Sequence, residues 1–173
     1  GNNGADGRSA ARTLRRRGVR AEVIELADAP DVLPAADLVI DAALGTGASR
    51  PHHAPDPGAA LVLAVDIPSG IHGDTGEAVG SPMRADLTVT FAALKPGLLL
   101  GDGPAHTGAI RMADIGLDVA RARIHLLDDA GAAALLPRRD TAAHKWHRSV
   151  LVVAGSPGMT GAASMAAEAA QRA

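Results

Sequence analysis

Apolar runs alternate along the chain with polar, glycine-rich stretches. Residues 7–17 have helical composition, with Ala10, Ala11 and Leu14 on one side and arginines on the other. The runs that predict strands are residues 19–26, 37–44, 61–67, 85–94 and, as an edge strand, 109–115. Strands separated by short helices or loops predict an α/β fold, a Rossmann-like three-layer sandwich with a mainly parallel sheet.

The pattern changes near residue 137. A polar connector leads to a predicted strand at 150–154, a glycine-rich turn and an alanine-rich helix at 162–173. We therefore predict a first domain at 1–136 and, at 137–173, a linker with the first strand and helix of a second α/β domain. The chain begins inside a glycine-rich motif and stops without a cap, so we interpret it as an internal fragment.

Three polar segments stand where a parallel sheet would bind a ligand. They are GNNGADG at 1–7, GTGASRP at 45–51 and DIPSG at 66–70. Because ligands bind beyond the carboxyl ends of parallel strands, we expect these segments to converge on one rim.

GNNGADG is predicted to be a loop that precedes a helix. Glycines leave backbone N–H groups uncovered, and the helix N-terminus adds partial positive charge, so the segment suits a phosphate. Asp6 could cap the helix, and the amide oxygens of Asn2 and Asn3 could ligate a cation or hold a ribose. A plain turn is the alternative, because Asn-Gly is a common hairpin signal.

Two aspartates occur within or at the end of apolar runs. A carboxylate is costly there unless it is paired or solvated. Asp41 and Asp66, with Ser69 close by, make a cation site of hard oxygen ligands plausible. Capping of the next loop by an Asx-turn is the alternative.

Composition narrows the class of protein. The 173 residues carry a formal net charge of -2, and aromatic residues make up 1%, which argues against nucleic-acid binding. The basic cluster at 12–20 is expected to be the solvated face of a helix. Cysteine is absent, which excludes thiolate metal sites. No apolar run could span a membrane, and we expect a cytoplasmic protein.

The histidines do not define a metal centre. His52 and His53 are adjacent, and His144 and His147 flank Lys145 and Trp146, but no third partner stands at a recognised ligand spacing. We expect them to be loop residues.

Four motifs in order resemble one family. GNNGADG, VIDAALGTG, AVDIPSGIHGDTG and TVTFAALKPGLLLGDGPAHTGAI are similar to the YjeF-related NAD(P)H-hydrate epimerases. HKWHRSVLVVAGSPGMTGAA resembles the opening of the ribokinase-like, ADP-dependent NAD(P)H-hydrate dehydratases. The order matches the bifunctional repair enzymes. Their epimerase part interconverts the R and S hydrates of NADH and NADPH, and their dehydratase part restores the cofactor from the S form.

The resemblance implies a role for each segment. Asn2, Asn3, Gly4, Ala5 and Asp6 would bind the NAD(P)H hydrate through its phosphates. The second substrate loop would consist of Gly45, Thr46, Gly47, Ala48, Ser49, Arg50 and Pro51. Asp66 would contact the substrate and transfer a proton. Potassium would be held by Asn3, Asp41 and Ser69, and Ala162 would line the hydrate pocket of the dehydratase.

The resemblance also implies ADP and magnesium for the dehydratase and a homo-oligomer for the full-length protein. Ala5 departs from the family, which usually has glycine there. If that position needs a positive φ, the Cβ costs roughly 1 kcal/mol. Two other functions stay open: a nucleotide-binding module without catalysis, and a ribokinase-like small-molecule kinase.

Overall fold

The computed structural model describes residues 2–47, 50–136, 142, 144 and 149–172. These form two compact units, Gly1–Arg123 and Ile124–Ala173. The helices and strands of the first unit are α1 (Asn2–Arg16), β1 (Leu38–Asp41), β2 (His52–His53), β3 (Leu61–Val65), β4 (Gly80–Ser81), β5 (Leu87–Phe91), α2 (Gly103–Thr107) and β6 (Ala109–Ala113). The second unit contains α3 (Asp129–Leu135) and α4 (Gly161–Arg172).

The main sheet has four strands in the order β1-β3-β5-β6, and every neighbouring pair is parallel. In register, Leu63 of β3 lies opposite Ile40 of β1 and Leu87 of β5. β2 and β4 form a separate, short parallel pair. The α/β class, the parallel sheet and the edge position of residues 109–113 are confirmed.

α1 lies on one face of this sheet and α2 on the other. Because side chains alternate along a strand, Leu63 and its neighbour Ala64 face opposite ways. Leu63 and Phe91 face α1 across an apolar groove of about 500 Å³ that Ala10 and Leu14 also line. On the opposite face, the buried Thr88 donates to the carbonyl of Thr107 in α2 (2.7 Å).

The core is aliphatic, as the scarcity of aromatic residues requires. One buried cluster joins Val62 and Ala64 of β3 to Met83 and Ala85. A second joins three fully buried residues, Ile67, Ile71 and Leu98, beneath the loops that follow β3 and β5. The second cluster therefore supports the backbone at the carboxyl ends of the strands.

Two predicted strands are wrong. Residues 19–25 form no strand, and a 3₁₀ turn follows at Leu26–Asp28. Residues 150–154 also form no strand, and the side chains of Leu151 and Val153 are 86% and 87% exposed. Residues 19–25 alternate apolar and polar positions and residues 150–154 are apolar, but neither segment has a partner strand among the described residues, and strand structure depends on such pairing.

The first helix begins earlier than predicted. α1 starts at Asn2, so the described part of GNNGADG forms its first turns and is not a loop. Asp6 lies inside α1 and is exposed, so the predicted capping role is wrong. The arginines at positions 12, 15, 16, 17 and 20 are exposed, which confirms the solvated basic face.

The predicted domain boundary at 137–145 lies largely outside the described residues and stays a prediction. The predicted helix near the end of the chain is confirmed as α4. Within the described part of the chain, no helix combines the length and the apolar character that crossing a membrane requires.

Leu98→Ala should destabilise the fold by about 2–5 kcal/mol, because it opens a cavity in a fully buried cluster. Denaturant unfolding measures the change. The matched control is Leu117→Ala, whose side chain is 63% exposed and should cost less than about 0.5 kcal/mol. Equal losses in the two variants would contradict the assigned core.

Candidate functional site at the carboxyl ends of the strands

The first turn of α1 is tied to the loop after β1 and to the last residue of β3. The side-chain amide of Asn3 donates to the carbonyl of Leu44 (2.7 Å) and to that of Val65 (3.1 Å). Both amide protons are therefore used, and the orientation of the side chain leaves Oδ1 as an acceptor. Asn3 is buried, so a polar residue of a helical first turn is anchored between two strand ends.

Asp41, the last residue of β1, joins the same two loops through Ser69. The Ser69 hydroxyl donates to Asp41 Oδ1 (2.5 Å), and the Ser69 N–H donates to Asp41 Oδ2 (2.7 Å). The Ser69 oxygen also accepts from the N–H of Leu44 (2.8 Å). Asn3 and Ser69, from the first and third polar segments, therefore meet at the Leu44 peptide group, directly before the second segment, whose Gly45 packs beside Asn3.

Burial governs the titration of Asp41. It raises the pKa of the carboxyl group above its usual 3.8, and hydrogen bonds from Ser69 and Ala43 act in the opposite direction. The buried His52 lies close enough to interact with it electrostatically. Burial lowers the pKa of His52 below 6.5, while the Asp41 carboxylate acts to raise it.

The oxygen atoms around Leu44 form a candidate cation site. Asn3 Oδ1, the Asp41 carboxylate and the Ser69 hydroxyl all belong to residues that contact one another or the Leu44 peptide group. Among the described residues, no three His, Cys, Asp or Glu side chains gather into a metal site. A set with one carboxylate and several neutral oxygens suits a hard cation of low charge.

Asp66 stands at the end of β3 in a strained conformation. Its φ is 70°, in the left-handed region that non-glycine residues rarely adopt. Its side chain is 16% exposed, and Oδ1 accepts from the N–H of Phe91 (3.1 Å) and the hydroxyl of Thr90 (3.2 Å). The ammonium group of Lys95 also donates to this oxygen. Strain of this kind concentrates at functional sites.

Sequence reasoning missed Lys95, Thr90 and the burial of His52. Lys95 follows β5 by four residues, so the strand-end rule, applied to β5, would have selected it. The alternation along β5 would have placed Thr90 on the same face as Thr88. No sequence signal marked His52, which lies buried in β2 and not in a loop as expected.

The remaining predicted site residues lie as follows. Gly45 packs beside the Asn3 side chain, and Thr46 lies against Gly73. Four residues of this segment are exposed and form no side-chain hydrogen bond with the site: Thr46, Gly47, Arg50 and Pro51. Ala48 and Ser49 lie outside the described residues. Asn2, Gly4 and Ala5 lie in α1, and Ala162 is exposed in α4.

Ala5 carries no backbone strain. Among the described residues, Asp66 and Ala92 are the non-glycine residues with positive φ, and Ala5 is helical. The conformational cost considered for a Cβ at this position therefore does not arise.

A parallel α/β sheet with polar loops gathered at its carboxyl ends defines a class of ligand-binding α/β proteins. Residues 25–97 match the family model described as YjeF-related protein N-terminus. The chain is 36% identical to the bifunctional NAD(P)H-hydrate repair enzyme Nnr of Moorella thermoacetica. The aligned region covers all of this chain and 42% of that protein. The corresponding enzyme of Coxiella burnetii is 35% identical, over 99% of this chain and 43% of that protein.

A shorter relative is the NAD(P)H-hydrate epimerase of Limosilactobacillus fermentum. It is 38% identical, over 66% of this chain and 70% of that protein. The chain belongs to the YjeF-related NAD(P)H-hydrate epimerase family. It spans less than half the length of the bifunctional relatives named above.

Replacing His52 should reduce the loss of folding stability that occurs as the pH falls from about 7 to about 5. Because the folded pKa of His52 is lowered, its contribution to stability is present above 6.5 and is lost as pH falls through the folded value. Asp41 has the opposite sign, since its raised pKa makes its contribution greatest below 3.8 and lost as pH rises through the folded value. Thermal unfolding of wild type and His52→Gln between about pH 7 and pH 5 tests this. Identical slopes would contradict it.

Proposed function

We propose that this chain provides the epimerase part of an NAD(P)H-hydrate repair enzyme and interconverts the R and S hydrates of NADH and NADPH. The observation that carries the proposal is the position of Asp66. Its carboxylate lies at the rim where ligands of parallel α/β sheets bind, and it is held by three donors in a strained turn. The NAD(P)H-hydrate epimerase and repair enzymes to which the chain is similar support the same activity.

Asp66 would act as the proton-transfer group. Interconversion requires the hydroxyl-bearing carbon of the hydrated nicotinamide ring to lose its configuration and then to take up either the R or the S configuration. The Asp66 carboxyl group gives a proton to the hydroxyl as the C–O bond breaks and water leaves. Return of water to the opposite face of the ring gives the proton back, so nothing is consumed. A positioned carboxyl group contributes typically 10²–10⁴-fold to such a step.

The substrate would lie across two segments of the rim. The backbone N–H groups of the first turn of α1 have no partner within the helix, so residues 2–6 can still bind a phosphate as a helix N-terminus. Residues 45–51 form the second contact in this proposal. This is supported by the contact between Gly45 and the Asn3 side chain, which brings the two segments together.

Potassium would be held by Asn3, Asp41 and Ser69. The buried Asp41 carboxylate supports this assignment, because its ionised form is disfavoured and a cation would offset that cost. Three donors contact its two oxygens, which leaves a lone pair for a ligand bond. When bound, potassium would supply positive charge that orders the loops.

The dehydratase chemistry is proposed for the longer protein. ADP and magnesium would act there, with Ala162 lining the hydrate pocket. The described residues 149–172 do not fit a magnesium site, since Glu168, their one acidic residue, is paired with Arg172 (2.6 Å). A homo-oligomeric state of the full-length protein and the cytoplasmic location stay predictions.

Asp66→Asn should lower the rate of interconversion about 100-fold or more, because the amide cannot exchange a proton in the required way. The full-length protein is given R-NADPH hydrate with potassium and without ADP, and chromatography follows both forms against a protein-free blank. Asp28→Asn, an exposed aspartate without a side-chain hydrogen bond among the described residues, is the control. Wild-type rates in Asp66→Asn would remove Asp66 from the reaction. Binding without turnover in wild type would favour a non-catalytic module.

Potassium should raise the melting temperature, because a ligand of the folded state stabilises it by RT ln(1 + [L]/Kd), about 2.7 kcal/mol at 100 Kd. Scanning calorimetry compares potassium chloride with N-methylglucamine chloride at equal ionic strength. Asp41→Asn, which keeps the shape and removes the charge, should lose the difference. Equal melting temperatures of wild type in the two salts would argue against the potassium site.

A further inference from the structure

We propose that Lys95 is a positioning residue that fixes the Asp66 carboxylate through Oδ1 and leaves Oδ2 as the atom that transfers the proton. The inference rests on the proposed epimerase function, because it assigns roles within the same reaction. It adds a role for Lys95, for which the sequence analysis proposed none.

All three donors to the Asp66 carboxylate converge on one oxygen. The Phe91 N–H, the Thr90 hydroxyl and the Lys95 ammonium group each donate to Oδ1. No described group donates to Oδ2. Because no buried side-chain oxygen or nitrogen of the described residues lacks a partner, Oδ2 must be reachable from solvent. One oxygen is therefore anchored by three donors, and the other is accessible to solvent and has no donor among the described residues.

The ammonium group of Lys95 has no proton left for a ligand. It donates to Asp66 Oδ1, to the hydroxyl oxygen of Thr90 (3.1 Å) and to the carbonyl of Phe91 (2.8 Å). An ammonium group has three donors, so all of them are occupied. The side chain is only 21% exposed. This arrangement suits a residue that acts through Asp66, and not one that itself exchanges protons or binds the substrate.

Lys95 also connects the two strained positions of the described chain. Asp66 has φ 70° at the end of β3, and Ala92 has φ 62° at the end of β5. Phe91, next to Ala92, donates its N–H to Asp66, and its carbonyl accepts from Lys95. A strained backbone persists only where its surroundings hold it, and the Lys95 side chain bonds to both sides of this arrangement.

The experiment uses the full-length protein with R-NADPH hydrate and potassium, and wild-type interconversion is established first. Its absence would overturn the proposed function, so that failure is distinguishable from failure of the inference. Lys95→Ala is then compared with wild type, with and without ethylammonium in the buffer. Arg84→Ala, an exposed cation without a side-chain hydrogen bond among the described residues, is the control.

Lys95→Ala should lower kcat about 10- to 100-fold, as misplacement of a reacting group does, with KM changed less than about twofold. Ethylammonium should restore a large part of kcat in Lys95→Ala and leave Arg84→Ala unchanged, because it can occupy the vacated space and supply the charge. Rescue of this kind would not follow from a merely structural role.

Three results would overturn the inference: a wild-type kcat in Lys95→Ala, a loss expressed only in KM, or a loss of kcat that ethylammonium does not restore. Thermal unfolding checks that the variant folds. If Lys95→Ala does not fold, Lys95→Met keeps the aliphatic stem and removes the charge, and the separation of kcat from KM then decides. A change confined to KM in that variant would assign Lys95 to substrate binding.

Discussion

The hydrogen bonds between Asp41 and Ser69 hold the candidate site together. They join the end of β1 to the loop that follows β3, and Ser69 passes the connection on to the Leu44 peptide group. Asn3 reaches the same peptide group from α1. Because all of these groups are largely buried, loss of any one hydrogen bond would leave a buried polar group unpaired and would destabilise the fold. The relative positions of the loops therefore depend on one carboxylate and one hydroxyl group.

The two aspartates at the rim have different surroundings and suit different tasks. Asp41 is buried, receives neutral donors and has a raised pKa, so its charge is held at a cost. Asp66 is partly exposed and is paired with an ammonium group at one oxygen. A carboxylate of the first kind stabilises loops and attracts a cation. A carboxylate of the second kind is held through one oxygen and leaves the other for a ligand, which suits the proton transfer proposed for Asp66.

Much of this arrangement could be predicted from the sequence. Nearly continuous apolar runs identified β1 and β3, because strands buried on both faces need apolar residues at successive positions. Alternation at Leu87, Val89 and Phe91 identified β5. The rule that ligands bind beyond the carboxyl ends then selected Asp41, Asp66 and Ser69. These predictions depend on local composition and on a general property of parallel sheets, and both can be read without coordinates.

The failures come from information that the local sequence does not contain. Residues 19–25 and 150–154 are apolar enough for strands, but strand formation depends on a neighbour that composition cannot identify. Asn and Gly have low helix propensity, so the sequence predicted a loop where α1 has its first turns. The hydrogen bond from Asn3 to Val65, a long-range contact, cannot be read from the local sequence. The strand-end rule selects the position of Lys95, but its pairing with Asp66, 29 positions away, cannot be read from the local sequence.

The strained turns at Asp66 and Ala92 have a consequence for engineering. Glycine at such positions relieves the unfavourable φ, so a search for heat-resistant variants would readily select it there. At Ala92 the same change would loosen the peptide that orients Asp66, and at Asp66 it would delete the carboxylate. If Asp66 acts as proposed, thermal stability and turnover are therefore opposed at these two positions, whereas the exposed face of α1 can be stabilised without that conflict.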